Sequence, residues 1–145
     1  MDKKENITKK TETPKLKGRY TSVVGKRKSA TARVRMYKKG TGIIIVNETP
    51  FKEYFSAVLQ SIILQPLKLT GNLKTLNFSC LVRGGGKKGQ AEAIRHAFAL
   101  GLVKLDENLK PSLKTKGWIT RDARKKERKK PGLKKARRAP QWSKR

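Results

Sequence analysis

The segment Gly84-Gly85-Gly86-Lys87-Lys88-Gly89 has the spacing G-x-G-x-x-G, with a strand-like segment before it and a helix-like one after. In a dinucleotide-binding unit such glycines bring backbone N–H groups close to a pyrophosphate, and an acid about 20 residues on holds the ribose. Asp106 stands near that distance. Yet it opens the polar run Asp106-Glu107-Asn108 instead of closing a second strand, and no strand-like segment follows to complete the unit. A cofactor site is therefore not expected. The physics of the loop holds without one: backbone free of side chains can approach a phosphate, a helix N-terminus carries positive potential, and Lys87 and Lys88 add charge. A phosphate of an RNA backbone suits the loop, with a purely structural glycine turn as the alternative. A nucleoside-triphosphate loop is not spelled out, because no G-K-[S/T] follows a glycine at the required spacing.

Other catalytic chemistry finds little support. His96 is the only histidine and lies beside Arg95, which disfavours a second positive charge. A helix-surface His96 is expected to contact nucleic acid or a neighbour, with Arg95 among the RNA-binding cations. Cys80 falls on the apolar face of an alternating segment, where it reads as a small core residue and not a nucleophile. No paired carboxylates, metal-ligand spacing or Ser-His-Asp order can be assembled, so the chain reads as a non-enzyme without a cofactor. The residues that do cluster are cations. Lys26, Arg27 and Lys28 stand together between Gly25 and Ser29, and Arg33 and Arg35, two apart on a strand, share one face with almost no acids nearby. Planar guanidinium groups suit bidentate phosphate contact or base stacking. Further on, Arg121, Arg124, Arg128, Lys129, Lys130, Lys134, Lys135, Arg137 and Arg138 follow one another with few interruptions. Trp142 has no core to join there, and either stacks on a base or packs on a partner.

Positioning these groups requires a small scaffold. Residues 20–25 read as a strand. Ala30, Ala32, Val34 and Met36 alternate with Thr31, Arg33, Arg35 and Tyr37, the period of a half-buried strand. After the turn chemistry of residues 38–42, residues 43–46 read as a buried strand, and the three together as an antiparallel meander. Thr49 as N-cap and Pro50 at the first position start a helix, with a break near Ser56 and an end at Pro66. Leu76, Phe78, Cys80 and Val82 make the clearest strand. A helix follows over residues 90–105, with Ile94, Ala97, Phe98, Gly101, Leu102 and Leu105 as its apolar stripe and Glu92, Arg95, His96 and Ala99 off it. A shorter helix covers residues 106–116, and Thr120 caps another running to Lys130, stopped by Pro131-Gly132. Strands on one side with helices over them give a single two-layer α+β domain.

Composition narrows the function further. The chain has 145 residues with 38 Lys+Arg against 10 Asp+Glu, a net charge of +28. Such a field needs a polyanion near it. No apolar run approaches the roughly 20 residues that span a bilayer, and a single cysteine excludes a disulfide scaffold. Residues 1–18 form an extension expected to be disordered, residues 19–120 the domain, and residues 121–145 a basic helix plus an extended tail. That last segment holds 13 basic residues against Asp122 and Glu127, and too few apolar ones for a core. A tail of this kind orders along nucleic acid as counterions leave. Non-specific condensation of DNA would use the same charge, but needs none of the tail's non-repetitive detail.

Three segments together resemble the bacterial-type small-subunit ribosomal protein nine family. They are Gly25-Lys26-Arg27-Lys28-Ser29-Ala30 with Ala32-Arg33-Val34, the glycine loop running into Gly89-Gln90-Ala91 and Ala93-Ile94-Arg95-His96, and the tail from Thr120-Arg121-Asp122 to Ser143-Lys144-Arg145. The resemblance covers about residues 19–145. It implies the ribosomal left-handed βαβ fold with a long basic extended C-terminal tail. It implies a structural constituent of the small-subunit head in a bacterial, ahead of an organellar, ribosome in the cytoplasm. The implied partners are small-subunit ribosomal RNA, neighbouring head proteins and the P-site transfer RNA, which Ser143, Lys144 and Arg145 would approach. No membrane is implied. Glu92 departs from a common glycine of the family, Leu100 from a common arginine, and Trp142 from the more usual phenylalanine.

Overall fold

The computed structural model describes residues 16–144, so most of the expected N-terminal extension, residues 1–15, lies outside the described residues, as does Arg145. Strand β1 (Tyr20–Arg27) turns through Lys28-Ser29 into β2 (Ala30–Lys38), with Arg27 facing Ala30 and Val23 facing Val34. The alternation in β2 does what its period requires: Ala30, Ala32, Val34 and Met36 are buried, while Arg33 and Arg35 are exposed. Strand β3 (Ile44–Val46) and β4 (Thr49–Pro50) form a second two-residue hairpin. Its central residues Asn47 and Glu48 have φ of 46° and 66°, the sign that both positions of a type I′ turn require.

Helix α1 (Phe51–Tyr54) and α2 (Ala57–Leu69) follow, separated at Ser56 as the sequence indicates. Thr49 and Pro50, however, belong to β4 and not to the helix. The Thr49 hydroxyl donates to the Val46 carbonyl at 2.7 Å and so closes the hairpin instead of capping. Nor does Pro66 end α2. Burial of Pro66 and Leu67 beneath the neighbouring helix draws the chain one more turn, to Leu69. The carbonyl of Pro66 then accepts from both the backbone and the hydroxyl of Thr70.

Strand β5 (Leu76–Arg83) leads into α3 (Lys87–Leu105), a single 3₁₀ turn (Glu107–Leu109) and α4 (Lys110–Thr115). The sheet order is β1-β2-β5-β3-β4. The meander is therefore corrected: β5 enters between β2 and β3, antiparallel to β2 and parallel to β3. The reason is length. Strand β5 can match β2 from Thr31↔Arg83 to Lys38↔Leu76, whereas β3 has only three residues to offer. The helices α1 and α2 then form the crossover that a parallel β3–β5 pair needs.

Helix α3 lies on β1 and β2 and against α2. With Gly86 as N-cap it starts three residues earlier than its apolar stripe indicates. Ala99, expected off the stripe, is buried, because α2 covers that side of the helix. Phe78 and Phe98 meet at 4.3 Å between ring centroids in the core. The domain is thus a single two-layer α+β unit with helices on one face of a mixed sheet and the other face open. After α4 no helix or strand occurs among the described residues. The helix expected over residues 120–130 is absent, since Arg121/Lys125, Arg124/Arg128, Lys125/Lys129 and Lys126/Lys130 would each place like charges one turn apart.

Candidate nucleic-acid interface

The β1–β2 hairpin and the glycine loop, distant in sequence, lie side by side. Gly84 and Gly85 have φ of 72° and 62°, a region that L side chains rarely adopt. A Cβ on Gly84 would lie 2.7 Å from the Ser29 carbonyl oxygen, and one on Gly85 3.1 Å from the Ala30 nitrogen. Two of the three glycines thus serve close packing of the loop on the basic hairpin. Gly86 has nothing within 4 Å of such a Cβ. A polar chain braces the loop from behind. The Asn47 side chain donates to the Val82 carbonyl at 3.0 Å and accepts from the Val82 N–H at 2.8 Å, extending the sheet where β3 has ended. The Tyr54 hydroxyl contacts Gln90 Oε1 at 3.1 Å, and Gln90 Nε2 donates to the Gly84 carbonyl at 3.1 Å. Lys87 turns toward this scaffold, its Nζ 3.2 Å from the centroid of the Tyr54 ring. Lys88 is exposed and makes no hydrogen bond or ion pair among the described residues.

The hairpin cations divide by strand parity. Lys26 points to the open face. Arg27 points to the helical side, where its Nε lies 2.8 Å from Glu92 and its Nη2 3.2 Å from Asp122, with Nη1 donating to the Arg124 carbonyl at 3.2 Å. One planar guanidinium therefore ties the hairpin to α3 and to the root of the C-terminal segment, a task for which its five-donor fork is suited. Glu92 is one of the two carboxylates that hold it. His96 makes a second tie. The Lys26 N–H donates to Nδ1 at 3.3 Å, which leaves Nε2 to donate to the Ile119 carbonyl at 3.1 Å. Arg95 donates to Gln65 Oε1 at 3.1 Å and lies 6.0 Å from the Trp118 ring centroid. Arg27, Arg95 and His96 thus build the support that the exposed cations stand on.

Carboxylates of the C-terminal segment are similarly engaged. Hydrogen bonds from Arg124, then the charge of Arg27, hold the Asp122 carboxyl well below the usual carboxylate range, and the same pairing raises Arg124. Glu127 is lowered by Lys130 at 2.6 Å and Arg137 at 2.8 Å. No acid pairs with Arg33, Arg35, Arg83, Arg121, Arg128, Lys129, Lys134, Lys135 or Arg138 among the described residues. Lys28 stands at the hairpin tip with φ of 52°, exposed with Ser143 and Lys144. Burial raises the Cys80 thiol, so it stays protonated and inert. A surface of unpaired cations on a sheet, a hairpin and a segment without secondary structure is suited to a polyanion with extended form.

Residues 25–145 match the family described as ribosomal protein S9/S16. The chain belongs to the ribosomal protein S9/S16 family. As a member it is a ribosomal protein: a structural constituent of the small subunit's ribonucleoprotein that binds ribosomal RNA and serves translation. No helix among the described residues is long and apolar enough to cross a membrane. The S9/S16 match begins at Gly25, near the end of β1, takes in the hairpin turn, β2 and the glycine loop, and continues through the whole C-terminal segment. Sequence reading missed the brace formed by Asn47, Tyr54 and Gln90, and the inward turn of Arg27. For Asn47 a signal existed, since Asn is favoured at the φ of a type I′ turn. For Arg27 strand parity from Val23 and Gly25 would have sufficed.

Proposed function

We propose that this ribosomal protein sits in the head of the small subunit of a bacterial cytoplasmic ribosome, with neighbouring head proteins, and that residues 121–145 run along RNA as an extended tail. On this reading Ser143, Lys144 and Arg145 reach the P-site transfer RNA, and the β3–β5 crossover has the left-handed sense. The observation that carries the proposal is the set of cations without an acidic partner among the described residues, Arg128, Lys129, Lys134, Lys135 and Arg138, in a segment of the S9/S16 match that has no core of its own. Such a segment gains order where its cations neutralise phosphates and the counterions condensed on the RNA leave. The exposed cations of the domain (Lys26, Lys28, Arg33, Arg35, Lys88) dock on folded ribosomal RNA, and Gly86 leaves backbone open to a phosphate beside them. Arg27, Lys87 and Arg95 contribute by shaping that surface.

Deletion of Ser143–Arg145 tests the tail. Small-subunit assembly, read by sucrose-gradient sedimentation, is expected to persist, while retention of transfer RNA in the P site falls and start-site fidelity changes. Unchanged retention and fidelity would remove the tail's proposed role while leaving the ribosomal RNA role standing.

A further inference from the structure

The open face of the sheet carries more than charge. Strand register aligns Val24, Arg33 and Leu81 in one row across β1, β2 and β5, with Lys26, Thr31 and Arg83 in the next. Val24 and Leu81 are each 43% exposed, so a guanidinium lies between two accessible apolar side chains on neighbouring strands spaced by about 5 Å. Two shallow grooves meet at this row and share Arg33 and Leu81. One runs toward Ser29, Arg83 and Gly84. The other passes Arg35 and is bordered by Glu48. A second stacking position lies at the edge, where Arg35 Cζ is 5.2 Å from the centroid of the half-exposed Tyr20 ring.

These observations choose among forms of RNA. A duplex offers this face phosphates and ribose hydroxyls, which the arginines can bind but which give Val24 and Leu81 nothing apolar to cover. An unpaired nucleotide offers both a phosphate and a base whose flat face can cover an aliphatic or guanidinium surface. We propose that the row Val24-Arg33-Leu81 is a binding site for an unpaired segment of RNA, with a base over the row and its backbone along the groove toward Arg83 and Gly84. This rests on the RNA-binding reading above and names the form of RNA that the open face takes.

The experiment uses the full chain and measures affinity for single-stranded and duplex RNA of equal length by fluorescence anisotropy at several salt concentrations. The double variant Val24→Ser, Leu81→Ser is expected to lose about five- to tenfold in single-strand affinity, the scale of the apolar area a base would cover, with duplex affinity and the salt slope unchanged. Arg33→Gln with Arg35→Gln instead lowers the logarithmic salt slope by roughly 0.7 for each phosphate no longer neutralised. Leu81→Tyr, which enlarges the platform, should strengthen single-strand binding and serves if the serine variant melts early. Equal losses for both forms of RNA, no loss at all, or competition by polyglutamate as effective as by single-stranded RNA would each overturn the site. Absence of any RNA binding by the unmodified chain would instead overturn the reading on which it rests.

Discussion

Arg27 shows how one cation in a chain of net charge +28 is put to structural use. Its side chain is only 17% exposed and meets two of the few carboxylates of the domain and tail. Lysine could supply the charge but not the fork that reaches Glu92, Asp122 and the Arg124 carbonyl at once. The pairing has a pH signature at Asp122. Its carboxyl is depressed below the ordinary 3.8, with the Arg124 hydrogen bonds as the first cause. A depressed folded-state value means that the ionised carboxylate favours the folded arrangement at pH above the unfolded value. That contribution fades only as pH falls from about the ordinary value through the depressed one. Carboxyl titration by NMR should accordingly find Asp122 ionised in acid that protonates a free aspartate. Arg124→Gln should move it back toward the ordinary value further than Arg27→Gln does. The reverse order would place the main interaction at Arg27.

Among the elements, α3 is the one whose position decides the rest, since it bears on β1, β2 and α2 and begins at the glycine loop. Its approach to the sheet depends on absent side chains. A Cβ at Gly25 would fall 2.1 Å from the Ala93 carbonyl oxygen and 2.6 Å from the Ala97 nitrogen, backbone atoms that cannot move without the whole helix. A Cβ at Gly101 would meet Met36 Sδ at 2.5 Å, the flexible end of a side chain. Gly25→Ala is therefore expected to destabilise by about 1–3 kcal/mol, and Gly101→Ala by clearly less, in chemical denaturation. Equal costs would mean that α3 shifts as freely as Met36 does. The faces of β2 and β5 and the core stripe of α3 were legible because alternation and helical period report which side of an element is dry. Neighbours were not. Nothing local in Ile44, Ile45 and Val46 says that they pair with Phe78, Ser79 and Cys80 and leave β2 to β5. Likewise Asp122 reads as a helix first-turn acid until Arg27, from the other end of the domain, takes it. The exposed cations of the candidate site could be named from composition; strand parity could have set Arg27 apart from them, but its carboxylate partners, Glu92 on α3 and Asp122 beyond α4, are not local to it.

For the whole molecule the distinction between supporting and binding cations becomes measurable. A net charge of this size destabilises the compact state through self-repulsion, and Glu92, Asp122 and Glu127 relieve it where Arg27, Arg124, Lys130 and Arg137 crowd together. Cations already paired within the chain neutralise few phosphates and so displace few of the counterions condensed on RNA, whereas unpaired ones displace them. The salt dependence of RNA affinity therefore counts the second kind. Replacing Lys134, Lys135 and Arg138 by Gln should flatten the logarithmic slope by about 2–3, at roughly 0.7–0.9 for each phosphate left without its cation. Arg27→Gln removes the same charge per residue yet should leave the slope nearly unaltered, while loosening residues 119–124 from the domain in hydrogen exchange. If Arg27→Gln flattened the slope as much as one tail substitution, Arg27 would face RNA in the bound state and the clamp would open on binding.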